Sequence, residues 1–322
     1  MRPTQLSRGA MTNSTASPAA DAGKARAAAR MRLLPRSPAF WFLLPAIFAL
    51  AVIGIYPLLV ALYNSFHQYQ LANPEAGTPF VGFDNYVATL TDPSFWDALG
   101  RTVLFLCLTL PIEIALGLFA ALLLHRAGLA WMRSLARVSL VIPMATTYAV
   151  VGLIGRLLFN RQFGVANYLL SFLGIGPLDW LGDPTLAFVA VMIMDVWQWT
   201  PFCALIFLAG LSMVPKEAEE AARLETPRWT MVLWHLQRPF LLPGLTAIMI
   251  LRSADMLKMF DAVFTMTRGG PGAATEFVSV YIQRIGFRLF DQGMASAQAI
   301  LLLILTIVLS RLYIRFVYRE AS

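Results

Sequence analysis

Six stretches of this sequence, near residues 40–66, 98–124, 138–159, 185–211, 239–265 and 295–318, are long and apolar enough to cross a bilayer as helices, each needing about 20 residues. That repetition leaves few folds open, and the expected class is an all-α integral membrane protein with about six transmembrane helices. Pro57, Pro111, Pro143 and Pro201 fall inside these stretches, where spanning helices tolerate proline if neighbours or water satisfy the freed carbonyls; kinks are expected there. Only 13% of the residues are charged, against about 25% in a soluble domain. The net charge of +7 does not point to nucleic acid, because the basic residues sit in short clusters between apolar runs, as membrane topology requires.

Those clusters set an orientation. With the N-terminus inside, the cytoplasmic segments hold Arg2, Arg8, Lys24, Arg26, Arg30, Arg32, Arg36, Arg126, Arg133, Arg137, Lys216, Arg223, Arg228, Arg238, Arg311, Arg315 and Arg319, and the outer segments only Arg161, Arg268, Arg284 and Arg288. Seventeen against four satisfies the positive-inside rule, so both termini are expected in the cytoplasm of a multi-pass inner-membrane protein. Residues 1–36, rich in Ala, Ser, Thr and Arg, are expected to be a disordered basic cytoplasmic tail. The apolar run after it exceeds the roughly 7 to 15 residues of a signal-peptide core, so the tail is expected to stay attached. The first outer loop, about residues 67–96, carries no Lys or Arg and many aromatics, which reads as a packed external cap. Cys107 and Cys203 lie in apolar runs, where a thiol acts as a small hydrophobe. His67, His125 and His235 lack ligand spacing, so no metal is expected.

Three segments carry chemistry. In the cytoplasmic connection before the fifth stretch, Pro215 opens a helix whose first turns hold Glu217, Glu219 and Glu220, suited to the positive end of the helix dipole. Ala221 and Ala222 then leave a flat spot for close approach by another protein, although an amphipathic connector reads the same way. In the fourth stretch Asp195, Gln198, Trp199 and Phe202 fall at i, i+3, i+4 and i+7, one helical face. A carboxylate, an amide and rings along one stripe suit a sugar, whose hydroxyls need partners and whose C–H faces pack on rings; helix packing with one satisfied polar residue is the plainer alternative. The fifth stretch carries Arg252, Asp255, Lys258 and Asp261, costly in a membrane, and their spacing of three allows an ion-pair ladder along the helix. Arg101, Glu113 and Arg156 are expected only to pair.

The run Glu220-Ala221-Ala222, continuing through Glu225-Thr226-Pro227 to Pro239 and Pro243, resembles the EAA loop of the maltose-permease family of ABC importers. Thr267-Arg268-Gly269-Gly270-Pro271 and the helix after it resemble that family's Gly-Gly-Pro segment, and the likeness runs from residue 40 to 318. The resemblance implies an importer-type permease domain over 37–322 with a cytoplasmic coupling loop at 213–238. It implies ATPase coupling through Glu220, Ala221, Ala222, Glu225, Thr226 and Pro239, and a substrate pathway lined by Asp195, Gln198, Trp199, Phe202, Asp255, Met256 and Met259. Where the family has Asp-Gly-Ala, this chain has Glu225-Thr226-Pro227; a residue before proline is pushed to an extended conformation.

The implied function is that of a permease subunit for an ATP-driven, binding-protein-dependent importer of a sugar, oligosaccharide or polyol. It would form half of an alternating-access pathway, with a second homologous permease, an ATPase homodimer and an extracytoplasmic solute-binding protein as partners. No cofactor is expected on this chain: it has no GxxxxGK[ST] run, so ATP and Mg belong to the ATPase. No catalytic constellation is visible, and the chain is not expected to be an enzyme. An ion-coupled secondary transporter is the alternative, but the loop would then have no purpose, and no internal repeat is visible. The charge distribution makes a prediction: in intact cells a cysteine at Gly272 reacts with an impermeant thiol reagent and one at Glu219 does not, and labelling at Glu219 would reverse the orientation.

Overall fold

The computed structural model describes residues 38–319 apart from 74, 76, 127–129 and 227, so the tail expected over 1–36 lies outside the described residues. The chain divides into two compact units at Leu59/Val60. Within the first, helix α1 (Pro38–Leu50) passes into a π-helical turn, Ala51–Ile55, before α2 begins (Tyr56–Ser65). The wide turn has a local cause. Pro57 has no N–H to give and its ring crowds the carbonyl four residues back, and the chain widens just before it, the Tyr56 N–H reaching the Ala51 carbonyl.

The second unit takes in the end of α2 and continues with a short helix, α3 (Asp84–Thr91), and the long span α4 (Pro93–Arg126). Next come α5 (Ala130–Ala145), α6 (Tyr148–Leu158) and α7 (Val165–Ser171). Span α8 (Pro184–Leu211) leads to a short polar helix, α9 (Lys216–Glu225). A composite span follows: α10 (Trp229–Val232), a second π turn at Leu233–Gln237, and α11 (Arg238–Leu257). Helices α12 (Asp261–Met266), α13 (Val278–Phe287) and α14 (Gln292–Arg319) complete the unit. Among the described residues the β-structure consists of two isolated bridges, His67–Phe80 and Gln70–Asp291. The fold is therefore all-α, and among the described residues five helical segments are long and apolar enough to span a membrane, or six if the bent pair Val138–Ala145 and Tyr148–Leu158 counts as one.

Two expected spans change shape. The stretch at 138–159 is not one straight helix: α5 and α6 meet at 95°, where Thr147 is extended. The fifth stretch does not run to 265 but ends at Leu257, and Asp261 opens a separate helix. The ladder expected along one helix is therefore broken.

The core sits where α4 packs along α8 and α11 packs on both. Gly117 makes this closeness possible, because a Cβ there would collide with the Cys203 side chain, the small-residue contact that brings membrane helices together. Asp183 caps α8, its Oδ1 accepting the N–H groups of Thr185 and Leu186 at 2.9 Å each. Between α2 and α4 the rings of Phe66, Phe83 and Tyr86 pack against one another. Tyr281 of α13 donates its hydroxyl to Asp92, and burial together with that carboxylate pushes its phenol above the usual range.

Candidate functional site

A guanidinium inside a bilayer needs partners, and Arg252, 1% exposed, finds them on two other spans. Its Nε and Nη2 donate to the two oxygens of Glu113 on α4, both at 2.8 Å, and Nη2 also donates to Oδ2 of Asp195 on α8 at 2.7 Å. The fork-to-carboxylate geometry with Glu113 is the strong form of this contact. The face of the guanidinium lies over the Trp199 ring, 4.6 Å from its centroid, a cation–π contact. One cation and two carboxylates thus join α4, α8 and α11. Arg252 is paired across helices and not along its own; only Asp255 and Lys258 form the expected local pair, at 3.0 Å.

The stripe on α8 divides by depth. Asp195 and Gln198 are buried, while Trp199 and Phe202 are half-buried. Gln198 Nε2 donates to the Thr146 carbonyl at 2.9 Å, satisfying backbone at the break between α5 and α6, which a membrane interior would otherwise penalise. Trp199 lies between rings, its centroid 5.9 Å from Tyr148 and 5.7 Å from Phe202. Its indole N–H and the Thr200 hydroxyl are buried without a hydrogen-bond partner among the described residues, which is uncommon for buried polar groups. Asp195, Gln198 and Met259 share a cavity of about 10 Å³ with Met194, Met266 and residues of α6, room for no more than one water. Met256 is buried in the core and Asp255 is half-buried beside Lys258.

Between spans α8 and α11, α9 presents Glu220, Ala221 and Glu225 outward, with Ala222 half-buried. Leu224, which sequence reasoning passed over, is 90% exposed and adds an apolar knob one turn from Glu220. Thr226 is extended, as its following proline requires. Pro239 is exposed near the start of α11, just after the second π turn. Glu219 was also overlooked as a functional residue. It turns inward, with Oε2 3.1 Å from His125 Nε2 and Oε1 accepting from Gln237 Nε2 at 3.4 Å. The available signal was the inner face formed by Ala218, Glu219 and Ala222, on which a carboxylate demands partners.

Comparison with known proteins matches residues 86–320 to the family described as binding-protein-dependent transport system inner membrane component. A probable ABC transporter permease protein of Sinorhizobium fredii is 36% identical, over 91% of this chain and 94% of its own. The trehalose/maltose transport system permease protein MalF of Thermococcus litoralis is 34% identical, over 86% of this chain and 92% of its own. Among solved structures, a chain of the bacterial alginate ABC transporter, crystallised with an alginate pentasaccharide-bound periplasmic protein, superposes with a TM-score of 0.75. It is 18% identical and covers 88% of this chain and 95% of its own; that likeness shows the fold.

The buried cluster makes a stability prediction. Arg252→Met leaves two buried carboxylates without their cation, a loss of about 3 to 5 kcal/mol for a broken buried pair. Glu113→Gln keeps the guanidinium paired with Asp195 and retains one acceptor. The thermal midpoint of the detergent-purified protein is expected to fall far more for Arg252→Met than for Glu113→Gln; equal midpoints would show that the cluster is not what holds the three spans together.

Proposed function

The chain belongs to the family of binding-protein-dependent transport system inner membrane components, and on that premise we propose that it is the permease subunit of an ATP-driven importer for a sugar, oligosaccharide or polyol. The observation that carries the reading is α9: a short helix between two spans with an exposed face of Glu220, Ala221, Leu224 and Glu225 and an inner face tied to the spans. Such a helix is built to receive a partner outside the membrane and pass its movement inward. In this reading that partner is an ATPase homodimer, which holds the ATP and Mg and performs the hydrolysis. An extracytoplasmic binding protein delivers the solute, and both termini of this chain face the cytoplasm.

A carbohydrate is supported by the ring-lined stripe, Trp199 between Tyr148 and Phe202 with the orphan indole N–H at its edge, and by the trehalose/maltose relative. The cavity beside Asp195 and Gln198 has room for one water, far less than a sugar ring. A passage wide enough for sugar therefore needs a second surface against this one, which a second, homologous permease supplies. Alternating access follows when ATP-driven closure moves the two permeases together.

Two substitutions test the reading. Glu220→Lys places a cation in the first turns of α9 against the dipole and reverses the charge of the exposed face; the membrane domain is expected to insert normally while the ATPase no longer co-purifies and uptake is lost. Full uptake with Glu220→Lys would make α9 a mere connector and favour an ion-coupled secondary transporter. Trp199→Ala removes a stacking face and is expected to cut uptake about 10-fold or more, in line with 1 to 3 kcal/mol per lost pocket contact, while basal ATP hydrolysis persists. Unchanged uptake would reduce the stripe to helix packing.

A further inference from the structure

Glu219 stands out from the other acids of α9. Glu217, Glu220 and Glu225 are exposed, yet the Glu219 side chain keeps only 12% of its surface and its partner His125 only 20%, while Gln237 is 3% exposed. Each carboxylate oxygen goes to a different span: Oε2 to His125 in the last turn of α4, and Oε1 to Gln237 in the π turn that leads into α11. A solvated connector would have no reason to bury a carboxylate in this way, since exposed pairs contribute little.

The same two spans meet again deeper in the protein. Glu113 lies on α4 twelve residues before His125, and Arg252 lies on α11 fifteen residues after Gln237. At 1.5 Å per residue these are separations of about 18 and 22 Å. Helices α4 and α11 are therefore pinned together at two depths, by Glu219 at the cytoplasmic end and by Arg252–Glu113 in the middle. The inner pin also holds Asp195 of α8 and stacks on Trp199.

We propose that Glu219 is the positioning residue through which α9 moves α4 and α11 as one body, carrying a displacement of the cytoplasmic helix to the Arg252 cluster and the Trp199 stripe. The proposal rests on the reading of α9 as the surface that meets the ATPase. It assigns the two sides of that helix separate tasks: Glu220, Ala221 and Leu224 face the partner, and Glu219 grips the membrane spans.

The experiment uses the complete transporter reconstituted in liposomes, with ATP hydrolysis measured with and without solute-loaded binding protein. Wild type must first show an ATPase that co-purifies and is stimulated; if it does not, the functional reading fails before any variant is made. In Glu219→Ala the ATPase is expected to co-purify and basal hydrolysis to stay unchanged, while stimulation and uptake fall about 5-fold or more, the range of a coupling energy between sites. Glu219→Gln, whose amide offers one acceptor and one donor group, can bond to both Gln237 and neutral His125 and is expected to restore most of the stimulation. His125→Ala is expected to lower stimulation in wild type and to add nothing in the Glu219→Ala background, as for residues acting through one contact. If Glu219→Ala does not accumulate in the membrane, His125→Ala and Gln237→Ala each break one of these bonds and answer the same question. Full stimulation in Glu219→Ala, loss of the ATPase from that variant, or an undiminished effect of His125→Ala within it would each overturn the proposal.

Discussion

The buried guanidinium of Arg252 constrains everything packed around it. Placing that charge among apolar helices is unfavourable unless its donors are met, and a guanidinium presents five of them in a rigid plane. Glu113 takes one edge, Asp195 takes part of another, and Trp199 covers a face. Those contacts fix the rotation of α4, α8 and α11 about their own axes. A Lys could not replace Arg here, because its single ammonium cannot satisfy a bidentate carboxylate and a ring face together.

Once those three helices are locked, their neighbours have little freedom. Gly117 against Cys203 lets α4 and α8 touch closely enough for Glu113 and Asp195 to reach one cation. Asp195 sets the register of α8 and so aims Gln198 at the carbonyl of Thr146. The bend between α5 and α6 is thereby satisfied from within the protein, as irregular backbone at membrane depth must be. Gly152 of α6 lies against Ala262 and Thr265 of α12, so the segment after Leu257 folds back under α6 instead of extending the fifth span.

The parts legible in sequence were those written locally. Apolar length located the spans to within a few residues in α4, α8 and α14, because burial in lipid depends on a continuous run and little else. Thr226 was readable from the proline after it. The break at Thr146–Thr147 was not, since Pro143 lies inside its helix just as Pro111 and Pro201 do; the bend comes three residues after it, where Gln198 of another span donates to the Thr146 carbonyl. The role of Glu113 was invisible for a related reason. Its partner lies 139 residues away, whereas spacing rules see only the three or four residues on either side, and so they paired Arg252 with Asp255. Glu219 escaped in the same way, with partners 94 and 18 residues distant.

The stripe on α8 lies between two supports of opposite character. On one side is the Arg252 cluster, where charged hydrogen bonds in a low-dielectric interior resist displacement. On the other is the 95° bend of α5 and α6, joined to α8 by the amide of Gln198, by the rings of Tyr148 and Trp199 and by the packing of Gly155 on Met194. A change in the separation of these supports falls first on the weaker side, because a neutral hydrogen bond, ring contacts and van der Waals packing yield before a bidentate ion pair does. Trp199 belongs to both: its ring carries the guanidinium and also packs against Tyr148, two residues past the break. A rotation of α8 about its own axis therefore changes the distance between Trp199 and Tyr148 before it breaks the charged core behind them.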